Sequence, residues 1–245
     1  MDTSPTQADM SSNAEGIGAP VRRKEDARFL TGRGRFVADL VFPGELHAVF
    51  VRSPHPHARI ARIDAKAARR MPGVVAVFAG ADMATEGIGP MKSLWPLKMP
   101  DGRMMNEPPR WALARGAVRH VGEAVAVVVA ETQAAAADAA ERLAVEYAPL
   151  DAVASARDAL GASAIHPEAP GNLCFRYTRG DAAAADAAFA RAAHVTRIDL
   201  VNHRIAGAAI EPRAVVGVPD AAGFTLYTAT QVPHHVRRLV AEGAL

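Results

Sequence analysis

Few side chains in this sequence have the type and spacing of a reactive centre. His55 and His57 stand two residues apart in Ser53-Pro54-His55-Pro56-His57. Two imidazoles can share a metal when further ligands stand close. No third ligand follows at a suitable spacing, and the two prolines stiffen the turn, so the expected role is turn rigidity and no direct metal ligand is expected. Gln231 lies in Thr230-Gln231-Val232-Pro233-His234. Its carboxamide donates hydrogen bonds without titrating, and by type alone it reads as a polar strand-end residue capping the next helix. His235 is expected on the exposed start of that helix. Glu211 in Glu211-Pro212-Arg213 can pair with Arg213 at the start of a strand. Cys174 is the single cysteine. It forbids an intrachain disulfide, fits a reducing compartment and reads as a small packed hydrophobe. Gly32-Arg33-Gly34 lacks the strand–glycine–helix setting and third glycine of a phosphate cradle.

The elements that must carry these residues follow from pattern and punctuation. Residues 1–21 are rich in Pro, Ser, Gly and Asn and read as a disordered leader. Strands are expected at Leu46–Arg52 and Ala58–Asp64, on either side of the proline turn. Asp64 can cap a short helix, Ala65–Met71, that ends at Pro72-Gly73. Val74–Phe78 reads as a buried strand, and Ala81–Ala84 as one helical turn at most. Residues 85–115 are broken by Gly and Pro throughout, and Met91, Trp95, Leu97 and Trp111 suggest that this long irregular stretch packs on something. Glu123–Ala130 is nearly all apolar and β-branched, as in a strand covered on both faces. Thr132 caps an Ala-rich helix, Gln133–Leu143, and Val145–Leu150 alternates as a strand.

Beyond residue 150 the chain loosens. Asp181 can cap an Ala-rich helix to Arg191 with Phe189 as its large anchor. Val195–Val201, Ile210–Val218 and Phe224–Thr230 read as strands, the last two joined by a hairpin, and Pro233 opens a final helix. The fold class is α+β, a mixed α/β layer over 22–150 followed by a strand-rich domain over 151–245 that ends unfinished.

Composition narrows the function classes. The chain has 245 residues, half of them apolar and 5% aromatic, so its core must rest on Ala, Val, Leu and Ile. The net charge of +2 is small, and the arginines of the first half are scattered without aromatic interleaving, which argues against a nucleic-acid surface. No apolar run approaches the ~20 residues of a membrane helix. No secretory signal is expected, since the Ser-, Ala-, Asp- and Gly-rich N-terminus has no apolar h-region, and a twin-arginine reading of Arg22-Arg23 fails on the Lys24-Glu25-Asp26 that follows. A cytoplasmic location is expected.

Several stretches together resemble one family in order and spacing. They are Arg23-Lys24-Glu25-Asp26, Phe29-Leu30-Thr31-Gly32, Gly34-Arg35-Phe36 to Asp39, Arg52-Ser53-Pro54-His55-Pro56-His57-Ala58 with Ile60, and Pro72-Gly73-Val74. They continue with Arg119-His120-Val121-Gly122-Glu123 and the apolar run behind it, Val145-Glu146-Tyr147, His166, Asn172, Gly180-Asp181, Glu211-Pro212-Arg213-Ala214 and Thr230-Gln231-Val232-Pro233-His234. The series resembles the large, molybdopterin-binding subunit of the xanthine dehydrogenase, aldehyde oxidase and carbon monoxide dehydrogenase family, over its N-terminal portion.

The resemblance implies an α/β hammerhead domain over 22–150 and an incomplete molybdopterin-binding domain over 151–245. It implies a molybdenum–molybdopterin cofactor, with water as the oxygen source for hydroxylating or oxidising an aldehyde, an N-heterocycle or carbon monoxide. It also implies an iron–sulfur small subunit and an FAD-binding medium subunit as partners. Gln231 resembles the glutamine that hydrogen-bonds an oxygen ligand of the molybdenum, His234 could help position it, and Glu211 could line the substrate channel. The catalytic glutamate belongs to a segment that matches nothing here, so no catalytic residue is expected in this chain. Activity is expected only with the missing part, supplied by a second chain if the subunit is naturally split. The alternatives are a non-catalytic hammerhead interaction module and a non-functional gene fragment.

Overall fold

The computed structural model describes residues 17, 23–203, 205–221 and 223–244. The leader expected over 1–21 lies, apart from Ile17, outside the described residues. The chain divides into two compact units, one of residues 1–41 with 208–229 and one of residues 42–207 with 230–245.

The larger unit is built on two small sheets. In the first, β1 (His47–Arg52), β5 (Ala124–Ala130) and β3 (Val74–Ala79) lie antiparallel in the order β1-β5-β3. In the second, β2 (Ala58–Asp64) lies between β4 (Ala117–Val118) and β6 (Ala144–Pro149). The nearly continuous apolar run of β5 has its cause in this arrangement. Ala126 and Val128 join Val77, Ala68, Ala139 and Leu143 in one core, while Val125 joins Ala58, Ala114 and Val118 in another. A strand with both faces covered cannot alternate polar residues.

Three helices link these strands. At α2 (Lys66–Arg69), the helix is shorter than its pattern and Ala65, not the expected Asp64, holds the cap position with no side-chain cap bond; Asp64 Oδ1 accepts the Lys66 N–H at 3.0 Å from one residue earlier. In α3 (Gly80–Thr85), the first residue must be glycine for packing reasons: a Cβ there would lie 2.3 Å from the Ala114 carbonyl oxygen. In α4 (Gln133–Glu141), Thr132 caps as expected by accepting the Ala135 N–H at 3.1 Å. Residues 86–116 are irregular, as their composition requires, and are tied by isolated bridges between Met91 and Arg110 and between Lys98 and Met104.

The smaller unit holds α1 (Asp26–Leu30), a 3-10 turn at Val37–Asp39, and the hairpin of β7 (Val215–Asp220) and β8 (Gly223–Thr228). The Phe29 and Phe36 rings stack at 5.7 Å across the glycine turn. Gly32 takes φ +67°, and a Cβ on Gly34 would lie 2.4 Å from the Phe29 ring. These two glycines therefore serve a turn and a close aromatic approach.

Three expectations are corrected. Residues 195–201 form no strand, since among the described residues no strand pairs with them, and Ile198, Leu200 and Val201 are exposed. The hairpin strand begins at Val215, later than expected, after Pro212 has removed one N–H from the preceding stretch. In α5 (Ala182–Arg191), Asp181 caps as expected by accepting the Ala184 N–H at 2.9 Å, but Phe189, expected as the helix's large anchor, is 64% exposed. The last helix, α6 (Pro233–Leu239), opens with its proline in the first turn as expected.

Candidate cofactor-contact site

Gln231 sits in a bend between β8 and α6, and its side chain is exposed. Thr230 Oγ1 accepts the Val232 N–H at 3.1 Å, and Val232 O in turn accepts the N–H groups of His235 and Val236. Val232, not Gln231, holds the cap position, and no side-chain cap bond forms. The capping role readable from residue type is therefore not taken up. Among the described residues the exposed Gln231 carboxamide has no hydrogen-bond partner. His234 is exposed and makes no bond to Gln231 among the described residues, whereas His235 is half-buried with its ring edge-on to Trp95 at 5.9 Å.

Glu211 is half-buried, and its Oε1 accepts the backbone N–H of Val37 at 3.1 Å. Its partner is the opening of the 3-10 turn, 174 residues earlier in sequence, and not Arg213. A carboxylate on this partly buried turn N–H satisfies a donor the turn itself cannot.

Two of the motif stretches, far apart in sequence, meet in one junction. Ser53 is 2% exposed. Its N–H donates to Glu123 O at 2.9 Å, its carbonyl accepts Gly122 N–H at 2.8 Å, and Arg52 Nη1 reaches Gly122 O at 2.9 Å. Ser53 Oγ accepts the His55 N–H at 3.0 Å, and the His55 ring tilts against Tyr147 at 4.8 Å. Burial pushes the Tyr147 phenol up from its ordinary value, against the hydrogen bond from Ser53, which lowers it. His57 Nδ1 lies 2.6 Å from Asp151 O. Both histidines thus hold the turn in place, and among the described residues no group of three or more His, Cys, Asp or Glu is placed to hold a metal.

The same junction reaches past residue 150. Glu123 Oε2 accepts the Arg119 N–H at 2.5 Å, and Arg119 Nε donates to Ile165 O at 3.3 Å. His166 follows, with Nδ1 buried and lacking a hydrogen-bond partner, the nearest carboxylate oxygen being Glu168 Oε2 at 4.0 Å. Burial, with help from the Arg119 charge, holds His166 below the usual histidine value, against the pull of Glu168 and Glu123. Asn172, at φ +56°, closes the loop: Oδ1 accepts Ile165 N–H at 2.8 Å and Nδ2 donates to Ala159 O at 2.8 Å and Ser163 O at 3.0 Å. Asn106 adds a stitch from the irregular segment, through Nδ2 to Leu173 O at 2.8 Å and N–H to Cys174 O at 2.7 Å. Cys174 itself is exposed, which corrects the packed hydrophobe expected of it: its backbone does the bonding and its thiol faces outward. The roles of Trp95, Arg119 and Asn106 are legible only in three dimensions, since each partner lies tens of residues away.

Comparison with known proteins gives these stretches a family. Residues 31–151 match the model of the aldehyde oxidase and xanthine dehydrogenase a/b hammerhead domain, and residues 165–245 match that of the molybdopterin cofactor-binding domain. The chain is 37% identical to the nicotine 6-hydroxylase large subunit of Paenarthrobacter nicotinovorans, over 90% of this chain and 27% of that protein. It is 32% identical to the carbon monoxide dehydrogenase large chain of Afipia carboxidovorans, over 96% of this chain and 30% of that one. Among solved structures, quinoline 2-oxidoreductase from Pseudomonas putida 86 superposes with a TM-score of 0.79 at 38% identity, covering 91% of this chain and 28% of the other. The chain thus spans under a third of the length of these relatives. With hammerhead and cofactor-binding segments in the order the family uses, the chain belongs to the xanthine dehydrogenase, aldehyde oxidase and carbon monoxide dehydrogenase family, as part of its molybdopterin-binding large subunit.

Proposed function

We propose that the chain is the N-terminal segment of a molybdenum hydroxylase large subunit, and that Gln231 faces an oxygen ligand of the molybdenum. The observation that carries this reading is the Thr230–His234 bend. It lies inside the stretch that matches the cofactor-binding domain, and it presents an exposed carboxamide with no partner among the described residues. The donor set fits such a group. A cofactor that brings its own metal ligands asks the protein for outer hydrogen bonds, and an amide N–H gives one at any pH.

When bound, the molybdenum cofactor supplies the two-electron chemistry, oxidising an aldehyde, an N-heterocycle or carbon monoxide with oxygen from water. The chain's own contribution is positional. Pro233 fixes the entry to α6, Thr230 Oγ1 holds Val232, and the bend aims Gln231 outward. Glu211 stays in this reading as a residue near the substrate channel whose Oε1 is engaged by Val37, and His234 as an exposed neighbour of the cofactor edge. Domain limits at 22–150 and 151–245 accompany the proposal. So do a cytoplasmic setting and an assembly with an iron–sulfur small subunit and an FAD-binding medium subunit. No described helix is long and apolar enough to cross a membrane.

The test is substitution of Gln231 in the molybdenum-loaded assembly, made by co-expressing this chain with a polypeptide that supplies the rest of a large subunit. Gln231→Ala is expected to lower kcat by about 10- to 100-fold, the range for lost outer-sphere partners of a metal. Gln231→Asn, with the same amide on a shorter stem, should recover part of it. Unchanged kcat in the alanine variant would remove Gln231 from the site.

A further inference from the structure

The bonds around Gln231 fix the shape of its bend but not its place. The Thr230–Val232 bond and the bonds from His235 and Val236 to Val232 O are all local. The ion pair from Arg238 of α6 to Glu242 in the π-helical turn that follows, at 3.9 Å, is also local. Against the rest of the larger unit, the described residues give 230–239 one ring, ion-pair or hydrogen-bond contact. It is the half-buried His235 imidazole meeting the Trp95 indole, with centroids 5.9 Å apart and planes at 61°. That edge-on geometry is the preferred one for rings of this kind.

Trp95 can bear on α6 because its own backbone is fixed, although its ring is 66% exposed. It sits inside the loop closed by the Met91–Arg110 bridge, and the neighbouring Lys98–Met104 bridge and Met105 N–H to Leu97 O bond at 2.9 Å brace the stretch. Asn106 then ties that stretch to residues 173–174. The Trp95 ring stands out of this braced loop and meets the third residue of α6.

We infer that Trp95 is a positioning residue: through His235 it holds the first turn of α6, and with it the Gln231 amide, at a set place relative to the hammerhead sheets. The inference rests on the proposed role of Gln231. It gives the long irregular segment a purpose that its composition alone does not disclose. Trp95 touches no reacting group in this scheme; it acts through His235. Small displacements of a positioned group cost rate more than binding, since the reacting geometry is tighter than the bound one.

Two readouts test it. In the 245-residue chain, amide hydrogen exchange is followed over 231–239, with β5 as the internal reference. Trp95→Ala and His235→Ala are each expected to speed exchange there by about fivefold or more, as for a locally opened element, and the double variant no more than either single one. Trp95→Phe, which keeps a ring edge, should stay near the parent. Should Trp95→Ala loosen β5 as well, His235→Ala carries the test, since its side chain lies on α6 alone. Unchanged exchange over 231–239 in both alanine variants would overturn the inference. In the molybdenum-loaded assembly, Trp95→Ala should lower kcat by about 10-fold or more at unchanged KM and molybdenum content, with Trp95→Phe restoring most of it. Loss of molybdenum with kcat per bound metal unchanged would mark a merely structural residue and overturn the positioning role. If the parent assembly holds no molybdenum while the exchange coupling stands, the reading of Gln231 falls and the Trp95–His235 contact remains.

Discussion

At the scale of single residues, side-chain type foretold the kind of bond better than its partner. Glu211 was legible as a structural carboxylate, yet its bond goes to Val37, and nothing in the local sequence encodes a contact 174 residues away. Asn172 shows the same limit, since its left-handed backbone and bonds to Ile165, Ala159 and Ser163 form only when the loop closes. Asn172→Ala is expected to destabilise the chain by about 2–4 kcal/mol in urea unfolding, from lost hydrogen bonds and the strain of alanine at positive φ. His166 gives a pH prediction. Burial lowers its folded value below the ordinary 6.5, so the unfolded chain binds the proton more readily. Stability should therefore fall as pH drops through 6.5 and hold steady above it, and His166→Gln should flatten that part of the profile.

At the scale of elements, periodicity and punctuation served where a partner strand or helix lay nearby. The run at β5, the capped α4 and the strands flanking the proline turn carry local signals that agree with their tertiary setting. Thr132→Ala should cost about 1 kcal/mol through loss of the α4 cap, with Thr132→Ser close to neutral, measured by thermal or urea unfolding. Residues 195–201 failed for the opposite reason. Their strand-like pattern describes what the side chains would do in a sheet, and among the described residues no neighbouring strand receives Ile198, Leu200 and Val201. Their amides should accordingly exchange at near-unprotected rates in the isolated chain, while those of β5 are slow. Phe189 on α5 belongs with them, a large apolar side chain left 64% exposed.

At the scale of the whole molecule, large apolar side chains stand exposed in each unit, Leu200 86% and Ile205 89% in the larger and Ile210 92% and Phe224 71% in the smaller. Apolar side chains left open to this extent are those that partner surfaces cover. They accord with a chain that matches relatives over under a third of their length, and that is proposed to work only with the remaining two thirds. The motif series carried the family because the Arg52–Ala58 turn and the Arg119–Glu123 loop are two halves of one junction, so their joint presence reports a fold and not two coincidences. The proposed cofactor contact is less legible, since the Thr230–His234 bend shows only an exposed amide with no hydrogen-bond partner among the described residues. The most direct test is the molybdenum and pterin content of the purified chain, alone and co-expressed with a polypeptide supplying the rest of a large subunit. The account predicts cofactor near one equivalent per complex in the second preparation and none in the first. Cofactor in the chain alone, or in neither preparation, would contradict it.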